Sequence, residues 1–297
     1  MSVNLKERYS LLQDILNKLG KVVVAYSGGV DSTFLLKAAV ETLGAEKVQA
    51  CIAEGPSLPQ SQYLQAVERA KEMGVEVRTV RPNELADAAY AANKADRCFI
   101  CKSRLYKMLA DIAREQKFGS VICGCNFDDK SDFRPGNRAA EVFGVRSPLM
   151  EAGLTKEDIR NLSRQMGLAT ADIPASPCLA SRIAYGLEIT KERLKQVEAA
   201  EEVMRGLGLV EFRVRHHDTI ARIEVKQGDF EKVLASRLRI VEKLQELGFK
   251  YVTIDLQGFR SGSMNEMLTE EEKTGHQGIR TSGDQEIRLG ANLNPDK

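Results

Sequence analysis

Residues 21–37 constrain the fold more than any other stretch of this chain. Their sequence is Lys21-Val22-Val23-Val24-Ala25-Tyr26-Ser27-Gly28-Gly29-Val30-Asp31-Ser32-Thr33-Phe34-Leu35-Leu36-Lys37. The valine-rich start predicts a buried strand, because β-branched side chains fit the pleat. The glycine pair ends that strand, and the apolar spacing after it predicts a helix. A strand, a glycine turn and a helix start together form a site for anions, since free backbone N–H groups and the helix dipole attract negative charge. An ordinary capped turn is the alternative.

This loop is not a Walker A loop, because no Gly-Lys-Ser/Thr ends it, and it is not Gly-x-Gly-x-x-Gly. Ser-Gly-Gly-Val-Asp-Ser instead resembles the PP-loop of the ATP pyrophosphatase superfamily, whose members cleave ATP between its α and β phosphates. The resemblance implies ATP and Mg²⁺ as cofactors, with Asp31 catalytic and near the Mg²⁺. It also implies that pyrophosphate is held by Ser27, Gly28, Gly29, Val30 and Ser32.

Length and composition predict a globular protein without a strong preference for nucleic acid. The 297 residues suit one large or two modest domains, with 43% hydrophobic and 29% charged residues. The net charge of +1 gives no global basic field. No apolar run approaches the roughly 18 residues of a membrane helix. Residues 1–8 are polar, which argues against a signal peptide. We therefore expect a cytoplasmic protein with reduced cysteines.

The order of predicted elements indicates an α/β fold. Strands are predicted in the valine run and at 47–53, 75–80 and 119–124, and helices at 5–19, 59–73, 103–116 and 155–166. This alternation predicts a parallel sheet with helices on both faces and a ligand crevice at the carboxyl ends of its strands. The first domain, residues 1–185, is therefore expected to be the PP-loop domain.

A second, smaller α+β unit is predicted for residues 186–264. A helix at 190–207 precedes strands at 209–216 and 219–226, a helical region at 228–247 and a last strand at 251–256. Residues 265–297 are polar and lack a core-forming pattern, so we expect them to be disordered.

Three cysteines are the candidates for sulfur chemistry. Cys98 and Cys101 form a Cys-x-x-Cys pair, and Cys178 follows Pro177 with Arg182 just beyond it. A closed zinc site is disfavoured, because the three histidines all lie in or beyond the second unit. A redox dithiol of the thioredoxin type is also disfavoured, since the pair does not open a helix right after the first strand. Three thiolates with one open position remain possible. Cys51, Cys123 and Cys125 are expected in or beside strands, where packing is their default role.

Several motifs together resemble the LarE family of ATP-dependent sulfur transferases. These are the PP-loop, Asp-Arg-Cys-x-x-Cys-Lys, Gly-x-Asn-x-Asp-Asp-x-Ser-Asp-x-Arg-Pro-Gly and Cys-Leu-Ala-Ser-Arg-Ile, spread over residues 5–262. The family makes the nickel-pincer nucleotide cofactor of lactate racemase. The resemblance implies that a carboxylate of pyridinium-3,5-biscarboxylic acid mononucleotide is adenylated by ATP and then converted to a thiocarboxylate.

The resemblance leaves two sulfur sources open. Some family members sacrifice the sulfur of a cysteine matching Cys178, which becomes the nucleophile of a covalent step. Others carry cysteines matching Cys98, Cys101 and Cys178, which bind a [4Fe-4S] cluster that carries the transferred sulfide. All three are present in this chain, so we favour the cluster, supplied with sulfide or another sulfur donor. The resemblance also implies a homo-oligomer.

The loop after the fourth strand is the next candidate for nucleotide binding. The resemblance places Asn126, Asp128 and Asp129 near the nucleotide and Mg²⁺, with Arg134 in contact with phosphate. A solvated turn capped by aspartate is the alternative.

Arginines of the second unit are candidates for the phosphate of the substrate. Arg213 and Arg215 alternate on one predicted strand and therefore share a face, which suits a phosphate monoester. The same phosphate is assigned to Arg260 and to Ser181 and Arg182, while Glu201 is a possible Mg²⁺ ligand. A face paired with carboxylates is the alternative for the two arginines. His216 and His217 are as compatible with a structural role as with a functional one.

Three other functions are alternatives to a LarE-type sulfur transferase. A cluster-dependent tRNA thiolation enzyme should show a basic face or zinc ribbons, which this sequence lacks. An amidotransferase-type ligase would leave the three cysteines unexplained. A non-enzymatic nucleotide-binding module would explain neither the Cys98–Cys101 pair nor Cys178.

Overall fold

A computed structural model describes residues 3–130, 135–174, 176–269 and 272. Most of the predicted tail and Arg134 lie outside these ranges. Packed structure continues past position 264, because Leu268 is buried.

The described residues form helices and strands in an order that alternates in the first half of the chain. The helices are α1 (Val3–Leu19), α2 (Val30–Leu43), α3 (Gln60–Glu72), α4 (Ala88–Ala91), α5 (Arg97–Glu115), α6 (Pro135–Val142), α7 (Pro148–Glu151), α8 (Lys156–Gln165), α9 (Lys191–Arg205), α10 (Phe230–Ala235) and α11 (Arg237–Glu246). The strands are β1 (Val22–Tyr26), β2 (Val48–Ala53), β3 (Val77–Val80), β4 (Ser120–Cys123), β5 (Phe212–His217), β6 (Ile220–Val225) and β7 (Tyr251–Ile254).

The first sheet is parallel throughout, with strand order β3-β2-β1-β4. The chain passes from β1 to one side for β2 and β3, and later to the other side for β4. A crevice opens where the strand order reverses, at the carboxyl ends of β1 and β4. The PP-loop follows β1 directly, so the fold places it at this crevice.

Both faces of the parallel sheet are covered by helices, as predicted. Val22, Val24 and Tyr26 point into a core built with α1, α2 and α8. Val23 points the other way, into a core that includes side chains of α5. Burial on both faces explains why β1 reads as an uninterrupted apolar run.

The second sheet is small and mixed, with order β5-β6-β7. β5 and β6 are antiparallel, and β6 and β7 are parallel. Phe212 and Val214 pack with α9 and α11 on one face. Arg213 and Arg215, in the alternate positions, belong to the opposite face. That face meets the first unit, because Arg215 Nη1 donates to the Ser181 carbonyl at 3.2 Å.

Helix α5 is a difference from the sequence prediction. It begins at Arg97 rather than near residue 103, so Cys98 and Cys101 lie in its first turns. Arg97 is buried, donates to Asn93 Oδ1 at 2.6 Å and stacks on Tyr185. The contact with Tyr185, which is distant in sequence, helps to fix a helix start that local apolar spacing does not indicate. The pair therefore lies at the start of a helix, although not of the helix that follows the first strand. Among the described helices, none is long and apolar enough to cross a membrane.

Candidate active site

Hydrogen bonds of Ser27 and Ser32 hold the PP-loop in its conformation. Ser32 Oγ donates to the Gly29 carbonyl at 3.2 Å and lies 3.0 Å from Ser27 Oγ. Gly29 occupies the N-cap of α2 without a side-chain cap. The backbone N–H groups that begin α2 therefore face the crevice, where they can bind an anion.

Gly28 is required by a positive φ and by a close neighbour. Its φ is +73°, and a Cβ there would lie 2.4 Å from the Cβ of Ala66 on α3. Only glycine adopts this backbone without strain in so little space. The close approach brings α3 against the loop, where Arg69 donates to the Gly28 carbonyl at 3.3 Å.

Asp31 pairs with a lysine that sequence reasoning missed. Lys156, the first residue of α8, places its Nζ 2.6 Å from Asp31 Oδ2. The Oδ1 atom of Asp31 is buried and has no hydrogen-bond partner in the described part of the chain. A free carboxylate oxygen in an anion crevice is a suitable ligand for Mg²⁺. Asp31 therefore fits the predicted cation.

The loop after β4 folds back on the same lysine. Asp128 Oδ2 accepts from the Lys156 backbone N–H at 2.8 Å. Asn126 Oδ1 accepts from the Asp128 N–H, and Asp129 Oδ2 accepts from the Asn126 N–H, each at 3.0 Å. The structure thus brings Asp128 next to the Asp31–Lys156 pair, whereas Asp129 is buried and holds the turn. Their predicted nucleotide contacts stay predictions.

The three candidate cysteines lie close enough together for their charges to interact. Cys101 packs against the hydrophobic cluster that contains Leu179, the neighbour of Cys178. Burial, followed by a negative charge on Cys178, raises the pKa of Cys98, and the same two causes raise that of Cys101 to about 12. Cys98 and Cys178 nevertheless have exposed side chains. Cys98 is therefore close to many protein atoms and still open to solvent.

Among the described residues, no group of three or more histidine, cysteine or acidic side chains is placed to hold a metal ion. Three cysteine thiolates are the donor set of an iron–sulfur cluster that keeps one open iron. The cluster itself stays a prediction.

Arg182 connects the Cys178 loop to the second unit. Its guanidinium donates to Glu201 Oε1 at 2.8 Å and to Oε2 at 3.2 Å. It also donates to the carbonyls of Pro177 and Cys178. Glu201 is buried and accepts a further bond from the Val214 N–H. Since its oxygens are taken up by these donors, Glu201 does not fit the predicted Mg²⁺ contact.

Arg213 and Arg215 are both buried beside this pair. Arg215 Nη2 donates to Glu224 Oε2 at 2.8 Å and to Ser263 Oγ at 3.0 Å. Arg213 stacks on Phe259. Burial, followed by the charge of Arg182, lowers the pKa of Arg213 to about 10. The arginine face is thus buried and partly paired with carboxylates, and its contact with a substrate phosphate stays a prediction.

Arg260 belongs to the outer part of the same group. It forms two hydrogen bonds with Glu266, each of 2.7 Å, and approaches Asp255. We call the five arginines and four carboxylates of this group the arginine cluster. Its members are Arg182, Arg213, Arg215, Arg222, Arg260, Glu201, Glu224, Asp255 and Glu266.

The two histidines differ in their surroundings. His216 is buried, packs on Phe249 and places Nε2 2.8 Å from Gln196 Oε1. Burial lowers the pKa of both histidines, that of His216 to about 4. Its contacts give His216 a structural role.

The comparisons with known proteins point to one family. A family model described as NAD synthase matches residues 5–131. A Lactiplantibacillus plantarum protein, pyridinium-3,5-bisthiocarboxylic acid mononucleotide synthase, is 39% identical over 254 residues, which are 86% of this chain and 92% of the relative. An uncharacterized Synechocystis protein is 40% identical, over 89% of this chain and 99% of its own length. One from Methanocaldococcus jannaschii is 30% identical, over 87% and 95%.

The parallel sheet and its PP-loop define an enzyme of the PP-loop ATP pyrophosphatase class. Within that class, the chain belongs to the LarE family, that of the pyridinium-3,5-bisthiocarboxylic acid mononucleotide synthase. The predicted α/β fold and family are confirmed.

Proposed function

We propose that this enzyme adenylates a carboxylate of pyridinium-3,5-biscarboxylic acid mononucleotide and converts it to a thiocarboxylate. One observation carries the proposal: Arg182 joins the Cys178 loop to the arginine cluster. This contact supports a sulfur site that lies next to a site for the substrate phosphate. The PP-loop supplies the activation that a carboxylate needs before sulfur can replace its oxygen.

Adenylation is the first half of the reaction. A carboxylate oxygen attacks the α-phosphorus of ATP, and pyrophosphate leaves with the electron pair. Negative charge then builds on phosphate oxygens, where preorganised N–H donors and cations stabilise it. The N–H groups beginning α2 and the ammonium of Lys156 provide that stabilisation. Asp31 would hold Mg²⁺ through its free Oδ1, and Mg²⁺ supplies Lewis-acid stabilisation of the phosphate oxygens.

Sulfur transfer is the second half. A sulfur nucleophile attacks the activated carboxyl carbon, and AMP departs with its oxygen. Cys98, Cys101 and Cys178 would hold the cluster, which supplies an open iron for sulfide when bound. Arg182 donates to the carbonyls of Pro177 and Cys178, which flank the Cα of Cys178, and so orients the Cys178 thiol. A sulfide donor completes the atom balance.

The substrate phosphate is assigned to the arginine cluster. Arg213 is buried in this cluster and stacks on Phe259, and burial, followed by the positive charge of Arg182, lowers its pKa. Ser181 lies beside Arg182 and Arg215, whose side chains hold its hydroxyl and carbonyl. If its phosphate bound here, the substrate would direct the carboxylates of its pyridinium ring towards Cys178.

The first experiment is ATP–pyrophosphate exchange with candidate substrates. Exchange should depend on the pyridinium mononucleotide, and Asp31→Ala should abolish it. The exposed Asp218, whose Asp218→Ala change leaves the crevice intact, is the matched control. Dependence on tRNA instead, or exchange retained by Asp31→Ala, would contradict the proposal.

The second experiment separates the two sulfur sources. Anaerobic reconstitution with iron and sulfide should give a brown protein that loses its colour in Cys98→Ser. Cys178 should then survive repeated turnover in the mass spectrum. If iron never binds and Cys178 becomes dehydroalanine once per turnover, the sacrificial route replaces the cluster. Light scattering tests the homo-oligomer, which stays a prediction together with the cytoplasmic location.

A further inference from the structure

A second pair of thiols lies at the crevice and has no part in the proposed reaction. Cys123 ends β4, and Cys125 follows two residues later. Their Sγ atoms are 3.4 Å apart, a non-bonded distance within hydrogen-bond range. Side chains two positions apart in an extended chain share a face, which explains how the sulfurs meet.

Polar groups surround the pair on several sides. Ser147 Oγ lies 3.3 Å from Cys123 Sγ, and Asn137 Oδ1 lies 3.4 Å from Cys125 Sγ. The hydrogen bond from Cys125 lowers the pKa of Cys123 to about 5, and the same bond raises that of Cys125. The positive charge of Lys102 also favours a thiolate. The bond between the two sulfurs and the charge of Lys102 therefore both favour a thiolate at Cys123.

The residue between these cysteines touches the PP-loop. A Cβ on Gly124 would lie 2.9 Å from the backbone N of Ser32 and 3.1 Å from its Cα. The Ser32 N–H belongs to the first turn of α2, where the anion site is built. Movement at Gly124 is therefore transmitted directly to a predicted phosphate donor.

We propose that Cys123 and Cys125 form a reversible disulfide when a peroxide oxidises them, and that this disulfide weakens ATP binding at the PP-loop. The disulfide depends on the two thiols alone. The effect on ATP rests on the proposed nucleotide site.

The oxidation balances with peroxide as the named oxidant. The half-exposed Cys125 sulfur passes its proton to Cys123 and attacks one peroxide oxygen, giving a sulfenic acid and hydroxide. The Cys123 sulfur then attacks the sulfenic sulfur, and water leaves. The two cysteines lose two electrons, the peroxide is reduced to water and to a hydroxide that takes a proton from solvent, and a thiol reductant reverses the bond.

Closing the bond must move the backbone. The sulfurs have to approach from 3.4 Å to about 2.05 Å, which requires a shorter separation of the two Cα atoms than an extended chain provides. The only residue between them is Gly124, which has no free space on its Ser32 side. We therefore expect the first turn of α2 to be displaced.

Peptide mapping tests the disulfide. Trypsin should release residues 118–130, which contain Cys123 and Cys125 and no other cysteine. After hydrogen peroxide, this peptide should be lighter by two hydrogens, resist alkylation and become alkylatable again with dithiothreitol. If it stays fully alkylatable under peroxide that oxidises the exposed Cys98 and Cys178, the proposal is wrong.

ATP binding tests the coupling, using full-length wild type, Cys123→Ser and Cys51→Ser. Peroxide should weaken ATP binding of the wild type and of Cys51→Ser at least tenfold, reversibly, and leave Cys123→Ser within twofold. Equal losses in all three variants, or a mapped disulfide without weaker binding, would overturn the coupling. Absence of ATP binding in the reduced wild type would instead contradict the proposed function, so the two failures are distinguishable.

Discussion

Lys156 Nζ lies 2.6 Å from Asp31 Oδ2, although 125 residues separate the two in sequence. The contact joins the first turn of α8 to the first turn of α2. The ammonium group of Lys156 also lies beside the start of α2, where the phosphates of ATP are proposed to bind. Lys156 pairs with Asp31 in this structure, and we expect the lysine to contact phosphate when ATP binds.

Replacing Lys156 by alanine should impair adenylation. Charged hydrogen bonds of this kind contribute about 1.5–3 kcal/mol, so kcat/KM for ATP should fall by roughly 10- to 100-fold. ATP–pyrophosphate exchange measures the loss, and Lys156→Arg should restore part of it. The exposed Lys195, on α9 away from the loop, provides the control Lys195→Ala. Equal activity of the two alanine variants would exclude Lys156 from the reaction.

Gly28→Ala and Gly29→Ala should differ in stability. The first places a Cβ 2.4 Å from Ala66 at a φ of +73°, whereas the nearest atom to a Cβ on Gly29 is 3.5 Å away. Strain and overpacking should lower the free energy of unfolding of Gly28→Ala by about 2–4 kcal/mol. Gly29→Ala should change it by less than about 1 kcal/mol. Urea unfolding measures both, and similar values would show that α3 does not press on the loop.

Glu201→Gln should be far more destabilising than Glu202→Gln. The first removes the charge partner of Arg182, whose side chain is 1% exposed. Leaving such a charge unpaired costs about 3–5 kcal/mol. Glu202 is exposed, and its surface pair with Arg205 is worth less than about 1 kcal/mol. Chemical denaturation distinguishes them. Adding Arg182→Met to Glu201→Gln should recover stability, and failure to do so would contradict the pairing.

His216 should make stability depend on pH in the acid range. Its folded pKa of about 4 lies below the ordinary histidine value of about 6.5. The unfolded chain therefore binds a proton first as the pH falls. The stability contributed by neutral His216 is present above pH about 6.5 and is lost towards pH about 4, by roughly 2–3 kcal/mol. Unfolding at a series of pH values should show a shallower acid loss in His216→Asn, and an NMR titration near pH 6.5 would contradict the shift.

The parallel sheet was predictable because its signals are local. The valine run of β1 and the Thr155–Asp158 capping box each depend on neighbours in sequence, and the structure contains both. The contacts that assemble the site are not local. Lys156 was recognisable as the start of a helix but not as the partner of Asp31. The pairing of Arg215 with Glu224 follows from the β5–β6 register, which spacing along one strand does not reveal.

The junction of the two units has a consequence for how ligands enter. Ile183 forms an isolated bridge with His216 on β5, and Ala184 N–H donates to the His216 carbonyl at 3.0 Å. Arg182, one residue before Ile183, is paired with Glu201. The segment that connects the two units therefore packs against the second sheet. We expect such a joint to resist hinge rotation, so that substrates enter by movements of side chains and short loops while the two sheets keep one mutual orientation.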